Sequence, residues 1–243
     1  MDKQKVFRRV NLLTNLLLGL SCVVFLIVFA ATGYRKDRVP ACIGVALVAL
    51  LPFVLEKIFR MKFSNFLLAA FNICYILSGI VGSIWGGWST IPLYDKIIHT
   101  VVVGYAGSMV GLLLLSLLGD LGGMKRATVI LFCFFCASTI GALWEVYEYC
   151  ADLWLGQVAQ GAPVELANGN FGTLVDDTMQ DIVANSLGAL LFALHYILHR
   201  VTGKNLLMGS MLKDFESMKR ENKNVSLEKS GKEPEEEKNI EKE

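Results

Sequence analysis

Residues 11–32 read NLLTNLLLGLSCVVFLIVFAAT, a run without a single charged side chain. An α-helix rises about 1.5 Å per residue, so about 20 apolar residues cross the roughly 30 Å of hydrocarbon in a bilayer. Five further apolar runs of similar length follow, at 40–59, 66–86, 95–118, 127–150 and 177–199. The sequence therefore predicts an all-α fold within residues 1–205, a polytopic membrane bundle of about six transmembrane helices.

The composition supports a membrane protein rather than a soluble domain. Apolar residues make up 54% of the 243 residues, charged residues make up 19%, and the mean hydropathy is +0.50. A soluble domain of this size needs more polar residues to cover its core. The net charge is +1, and the sequence contains no basic stripe or nucleic-acid motif. We therefore expect the lipid bilayer as the partner and expect no binding to nucleic acid.

Lysine and arginine between the runs predict the orientation, because cytoplasmic loops are enriched in both. With the N-terminus inside, the cytoplasmic clusters are Lys3, Lys5, Arg8 and Arg9, then Lys57, Arg60 and Lys62, then Lys125 and Arg126, then Arg200 and Lys204. The opposite side holds Arg35, Lys36 and Arg38, with Lys96 near the interface, and the connection 151–176 has neither lysine nor arginine. We therefore expect both termini in the cytoplasm and a multi-pass protein of the plasma or inner membrane.

The segment 206–243 differs in composition from the rest of the chain. It mixes lysine and glutamate with few apolar residues and ends in EPEEEKNIEKE. A segment of this kind buries too little apolar surface to fold alone. We expect a charged, disordered cytoplasmic tail, with a partner-binding arm as the functional alternative.

Ionisable side chains inside the apolar runs need an explanation, because a central charge in a bilayer costs about 2.5–3.5 kcal/mol. They lie at the start of the fourth run, the end of the fifth and the start of the sixth: Asp95 and His99; Glu145, Glu148 and Asp152; Asp176, Asp177 and Asp181, with Asn185 beyond them. Apart from Asp176, spacings of three, four or seven residues place each group on one helix face. Because the chain alternates across the membrane, these three helix ends lie at the same level. The three groups are therefore predicted to converge near the outer surface.

Several carboxylates at one depth repel each other unless protons or a cation neutralise them. An oxygen-rich set with one imidazole suits a divalent metal such as Mg²⁺, Mn²⁺ or Zn²⁺. The candidate metal ligands are Asp95, His99, Glu145, Glu148, Asp177 and Asp181. Glu145, Asp181 and His99 are also the candidate catalytic residues, as metal ligands or as acid–base groups. The structural alternative is that these groups only join neighbouring helices and cap helix ends, as Asp176 or Asp177 would do ordinarily.

Two features near this region receive other interpretations. His195 and His199 lie four residues apart at the cytoplasmic end of the sixth run, where packing or snorkelling at the interface is expected rather than metal binding. The connection 153–176, rich in glycine, passes over the predicted site. It forms either a lid or a flexible link between two helices.

Small residues inside the runs are interpreted as packing features. Gly107 and Gly111 form a small-xxx-small pattern, which predicts a close approach of two helices. Cys133 and Cys136 fit a C-x-x-C pattern, but they lie inside an apolar run without the context of a redox motif. They are expected to be packing residues.

Three ordered motifs carry a resemblance to a known family: YDKIIH at 94–99, GALWEVYEY at 141–149 and DTMQD at 177–181. The chain resembles the YjdF-type family of uncharacterised bacterial inner-membrane proteins over most of the apolar region. It is more distantly similar to VanZ-like proteins, through D-K-x-x-H, a later Glu, and a D-x-x-x-N element that is Asp181 and Asn185 here. The VanZ-type pattern has an Arg before the final Asp that this chain lacks. The resemblance implies a membrane protein with a site at these motifs and implies no particular reaction.

The sequence leaves three functions open. The first is a metal-dependent enzyme acting on a lipid or lipid-linked substrate, which a site at one membrane surface favours. The second is a proton- or cation-coupled transport or binding protein, whose site would typically lie at the midplane between broken helices. No proline interrupts the fourth to sixth runs. The third is a structural membrane protein without catalysis. Since the predicted cluster contains no arginine, a phosphate group is expected to bind through metal alone.

Overall fold

A computed structural model describes residues 3–35, 38–155, 159–161, 174–205 and 207–229. Among them, six helices are long and apolar enough to cross a membrane, which confirms the predicted all-α bundle. We call them spans 1 to 6; their bounds are Lys5–Thr32, Val39–Phe59, Asn65–Ile84, Tyr94–Leu118, Arg126–Trp154 and Val175–Thr202. Large apolar side chains of span 1, such as Leu13, Leu20 and Ile27, are exposed on the bundle surface, as expected for side chains that contact lipid.

Local sequence explains where spans 2 and 3 begin and break. Span 2 consists of two α-helical segments, Val39–Val48 and Leu51–Phe59, each with a proline in its first turn. Proline lacks the backbone N–H that a helix interior needs but is well suited to a first turn. Span 3 begins at Asn65, where the Ser64 hydroxyl accepts a hydrogen bond from the Leu67 N–H at 3.1 Å. This is an N-terminal cap.

Two spans contain π-helical segments, which the sequence did not predict. Span 3 continues from the α-helix Asn65–Cys74 into the π-helix Tyr75–Ile84. Span 4 runs from the α-helix Tyr94–Ile98 through the π-helix His99–Tyr105 into the α-helix Ala106–Leu118. π-Helical turns are rare and often occur at functional sites. The second segment begins at a candidate site residue.

Glycines allow spans 4, 5 and 6 to approach closely. A methyl group on Gly188 would overlap the carbonyl oxygen of Thr100, and one on Gly104 would overlap that of Asn185. On span 4, Gly107 faces Ala137, and Gly111 faces the Cys133 backbone and Cys136 of span 5. The predicted close packing at Gly107 and Gly111 is therefore confirmed.

The C-terminal helix, Met208–Lys229, corrects the prediction of a disordered tail. Met208, Met211, Phe215 and Met218 are buried in a core with residues of spans 4, 5 and 6. Their spacing of three, four and three residues forms one apolar stripe, which the average composition of the segment concealed. The prediction is wrong for residues 208–229, and residues 230–243 lie outside the described part of the chain.

Polar contacts also fix the C-terminal helix beneath the bundle. The Lys219 ammonium donates to the carbonyl oxygens of Ser116 and Gly119, both at 2.8 Å, at the end of span 4. The Asp214 carboxylate accepts from the Phe66 N–H at 2.9 Å, at the start of span 3. A cation at a helix C-terminus and an anion at an N-terminus both complement the helix dipole. The C-terminal helix therefore caps two spans at once.

Candidate functional site

The six predicted ligands come together where spans 4, 5 and 6 reach the same end of the bundle. They are Asp95 and His99 of span 4, Glu145 and Glu148 of span 5, and Asp177 and Asp181 of span 6. Ligand atoms within each of two overlapping groups lie within 4.8 Å of one another: Asp95, His99 and Asp181 in one, and Glu145, Glu148 and Asp181 in the other. The predicted convergence is confirmed, whereas the roles of these residues as ligands or catalysts stay predictions.

Lys96 is a member of the cluster that the sequence interpretation missed. Its ammonium donates to Asp177 Oδ1 and Asp181 Oδ1, both at 2.7 Å, and to Asp95 Oδ2 at 3.0 Å. Its side chain is only 22% exposed. Three carboxylates therefore use the three donors of one lysine. The expectation that a phosphate group would bind here through metal alone did not consider this cation.

His99 lies at the centre of the cluster and is almost completely buried, with 1% of its surface exposed. Its Nδ1 is 3.2 Å from Asn185 Oδ1, and its Nε2 is 3.5 Å from Asp95 Oδ1 and 3.7 Å from Asp181 Oδ1. With the Asn185 amide oriented in this way, Nδ1–H donates to Oδ1 and Nε2 keeps its lone pair. The lone pair faces two carboxylates at distances that leave it available to a proton or a cation.

Glu145, Glu148 and Asp181 form what we call the three-carboxylate group. Their residues are 7%, 7% and 0% exposed. The Trp144 Nε1–H donates to Glu148 Oε1 at 2.7 Å and so orients that carboxylate. In contrast, both oxygens of Glu145 and the Oδ2 atom of Asp181 are buried without a hydrogen-bond partner among the described residues. Buried carboxylate oxygens of this kind are costly unless another group satisfies them.

The Thr178 hydroxyl of span 6 accepts a hydrogen bond from Gln160 Nε2 at 3.2 Å. A hydroxyl that accepts one bond still carries a proton that it can donate. The two oxygens of Glu145 nevertheless have no hydrogen-bond partner among the described residues, Thr178 included.

Charge in the cluster is strongly unbalanced. Five carboxylates in the described part of the site face one ammonium and one imidazole. Two like charges 4 Å apart repel by about 4 kcal/mol at an effective dielectric constant of 20. Lys96 compensates Asp95, Asp177 and one oxygen of Asp181, but it makes no contact with Glu145 or Glu148. Glu145 and Glu148 are therefore the two carboxylates of the cluster that this ammonium does not contact.

The other polar residues singled out from the sequence lie outside this cluster. Asp152 accepts from the Ala159 and Gln160 N–H groups at 2.6 and 3.1 Å, so it holds the connection after span 5 against the end of that helix. Asp176 is exposed. His195 contacts the Tyr105 hydroxyl, and His199 Nδ1 lies 2.9 Å from the Lys204 carbonyl oxygen. The two histidines thus contact other groups and do not join the cluster.

The connection over the site is described only in part. Residues 159–161 lie at the mouth of the cluster, where a methyl group on Gly161 would come within 2.9 Å of Asp177 Oδ2. Gly161 has a φ of +78°, a conformation that favours glycine. The rest of the predicted lid or link, 156–158 and 162–173, lies outside the described residues.

The fold and the cluster define a multi-pass membrane protein with buried acidic and histidine side chains at one end of its bundle. The chain belongs to the family described as predicted membrane protein (DUF2238), whose family model matches residues 13–201. The match includes every member of the cluster. No curated protein and no solved structure matches the chain. The predicted resemblance to an uncharacterised membrane family is confirmed at this level, and the YjdF-type and VanZ-like similarities stay predictions.

Proposed function

We propose that the protein is a metal-dependent membrane enzyme that acts on a lipid or lipid-linked substrate, with a divalent cation held by the three-carboxylate group. The observation that carries this proposal is the burial of Glu145 and Asp181 with oxygens that no described residue satisfies. A divalent cation would satisfy these oxygens and offset their repulsion. Carboxylate ligands suit Mg²⁺ or Mn²⁺, and participation of His99 would also admit Zn²⁺.

The three-carboxylate group is a better candidate for the metal than the group of Asp95, His99 and Asp181. In the group of Asp95, His99 and Asp181, Lys96 already donates to Asp95 Oδ2 and Asp181 Oδ1. An ammonium at this distance would repel an incoming cation. Asp181 links the two groups, because its Oδ1 binds Lys96 while its Oδ2 has no partner among the described residues. Lys96 thereby fixes the carboxylate through one oxygen and leaves the other for the metal.

The remaining residues have roles that follow from their contacts. A bound cation would supply Lewis acidity toward a substrate oxygen. Nε2 of His99 would hold or accept a proton, and Asn185 would orient the imidazole through Nδ1. Trp144 would keep the Glu148 carboxylate directed into the site.

A lipid or lipid-linked substrate fits the position of the site. Asp95 is the second residue of span 4, and Asp181 lies about 9 Å along the helix from the start of span 6. Glu145 lies about 14 Å from the end of span 5. At the same level, Ile97 and Val183 are exposed on the bundle surface. These apolar side chains would contact the acyl part of a substrate anchored in the bilayer.

We also propose that the site faces away from the cytoplasm, in a plasma or inner membrane. The support is the distribution of lysine and arginine between the spans. The loops at Lys57–Lys62 and Lys125–Arg126 are basic, whereas the connection between spans 5 and 6 has no basic residue. Substrate would then be a component of the outer leaflet.

The test is elemental analysis of the full-length protein purified in mild detergent. We expect about one divalent metal ion per chain, lost in Glu145→Gln because an amide is a poor metal ligand of nearly the same size. Asp176→Asn is the matched control: it makes the same chemical change at an exposed residue of span 6 and should keep the metal. Equal metal content in all three proteins, or none in the wild type, would refute the assignment.

A cation- or proton-coupled transporter is the second candidate, supported by polar contacts deeper in the bundle. Below His99 and Asn185, the Tyr105 hydroxyl contacts His195 between the same two spans. The π-helix His99–Tyr105 connects the two levels. Flux measurements in proteoliposomes distinguish the candidates. A transporter would move cations or protons, and Tyr105→Phe would slow that movement; an enzyme would show no flux and would be unaffected by this change.

A further inference from the structure

A groove lies at the end of the bundle opposite the acidic cluster. It has a volume of about 400 Å³, which lies within the range of roughly 300–1,000 Å³ for small-molecule sites. One wall is the end of span 2, with Phe53, Lys57 and Arg60. The other wall is the C-terminal helix, with Asn222 and Val225. The groove therefore exists only because the C-terminal helix is folded against the bundle.

The groove carries two cationic side chains that no acidic side chain in the described part of the chain pairs with. Its carboxylate, Glu56, is neutralised by the Arg8 guanidinium and accepts from the Phe63 N–H at 2.8 Å. Lys62 is 3.6 Å from Glu221. In contrast, Lys57 and Arg60 are exposed and form no ion pair or hydrogen bond through their side chains among the described residues. As far as the structure describes the chain, two cations are thus unpaired and suited to an anionic ligand.

Apolar side chains continue from the groove onto the outer surface of span 2. Phe53 and Val225 line the groove itself. One turn apart on the outer face of span 2, Val54 and Ile58 are exposed. The cations lie at the end of the span, where headgroups are found, and the apolar face points toward the hydrocarbon. A ligand with an anionic head and acyl chains matches both features.

We propose that this groove binds an anionic phospholipid, with its phosphate between Lys57 and Arg60 and an acyl chain along Val54 and Ile58. Basic pockets between helix ends are a known way to hold acidic lipid headgroups. The Asn222 side-chain amide accepts from the Lys62 N–H at 2.8 Å and donates to the Lys62 carbonyl oxygen at 3.1 Å. These two bonds hold the C-terminal helix in place as one wall of the groove. The lipid therefore contacts the docked C-terminal helix and stabilises it.

The test uses the full-length protein, stripped of lipid by washing in mild detergent and titrated with dioleoyl phosphatidylglycerol, dioleoyl phosphatidylcholine or inorganic phosphate. Native mass spectrometry counts bound lipid, and thermal unfolding measures its effect. Phosphatidylglycerol should bind and raise the unfolding temperature, and the other two should have little effect. In Lys57→Gln/Arg60→Gln the affinity should fall by about twenty-five-fold, because each cation contributes a factor of about five. Equal effects of phosphatidylglycerol and phosphatidylcholine, or of free phosphate, would overturn the proposal.

Two further variants separate this groove from a general attraction of basic residues for acidic lipids. Lys125→Gln/Arg126→Gln removes the same charge from exposed residues at the start of span 5, at the same end of the bundle. It should keep wild-type affinity; a loss equal to that of the Lys57 and Arg60 variant would contradict a specific site. Val225→Glu places a negative charge in the groove and keeps both cations, so it should also abolish the stabilisation. An unchanged response in Val225→Glu would show that the lipid binds elsewhere.

Discussion

Lys96 provides the internal positive charge of the acidic cluster, where it joins Asp95, Asp177 and Asp181. Lys96→Met removes this charge and keeps much of the apolar stem. The three carboxylates would then lose their counter-ion, and we expect a destabilisation of about 1–3 kcal/mol in metal-free protein. Added Mg²⁺ or Mn²⁺ should restore part of that stability, since a cation can replace the ammonium. Thermal unfolding in detergent with chelator, and then with metal, measures both effects.

Lys125→Met is the control for this residue, because Lys125 is exposed and lies outside the spans. It should change stability by less than about 0.5 kcal/mol. If Lys96→Met behaves like the control, the contacts of Lys96 contribute little and the cluster needs no internal counter-ion.

The cluster could largely be predicted from residue spacing, because intervals of three and four residues fix which side chains share a helix face. Spacing predicts that Glu145 and Glu148 share one face of span 5, and the alternation of the chain across the membrane predicts that this face lies at the level of Asp181 on span 6. Lys96 is not predicted as a member of the cluster, because a lysine at the end of a span usually reaches toward the headgroups. Only the three-dimensional packing shows that it turns inward.

At the scale of the helices, the contact between spans 4 and 6 positions the site. Gly188→Ala would push a methyl group into the carbonyl oxygen of Thr100. The two helices would have to separate, at a cost of about 1–3 kcal/mol or more. Because His99 and Asn185 lie on the same two helices, metal content should fall together with the unfolding temperature. Thermal unfolding and elemental analysis of the variant measure the two effects.

Gly44→Ala on span 2 is the control for the glycine contact, since nothing lies within 4 Å of a methyl group there. It should be neutral or slightly stabilising, because alanine favours a helix more than glycine does. A Gly188→Ala protein as stable as Gly44→Ala would mean that spans 4 and 6 can separate without cost.

The six spans followed from the length and apolarity of the runs, whereas two other elements did not. The C-terminal helix was missed because charged residues dominate its composition, while its stability comes from one stripe that includes Met211 and Phe215. The π-helix His99–Tyr105 leaves no simple sequence pattern. It lies where Gly104 and Gly188 allow spans 4 and 6 to approach closely.

For the whole molecule, the even number of spans among the described residues predicts that both termini lie on the same side of the membrane, and the basic loops predict that this side is the cytoplasm. We expect Asn168→Cys to react with an impermeant thiol reagent in intact cells and Arg220→Cys to be protected. The six native cysteines are replaced in both proteins. Permeabilised cells provide the control, because both sites should then react. Labelling of residue 220 alone in intact cells would reverse the orientation and place the acidic cluster inside.

The position of the metal tests the account most directly. Crystals of the full-length protein grown with Mn²⁺ should give an anomalous difference peak bounded by the three-carboxylate group of Glu145, Glu148 and Asp181. Its distances to the carboxylate oxygens should be about 2.0–2.2 Å, as for other small divalent cations. A peak confined to Asp95 and His99 would contradict the assignment of the ligands. The proposed metal centre itself would be contradicted if Mn²⁺ bound only elsewhere and the three-carboxylate group held only water.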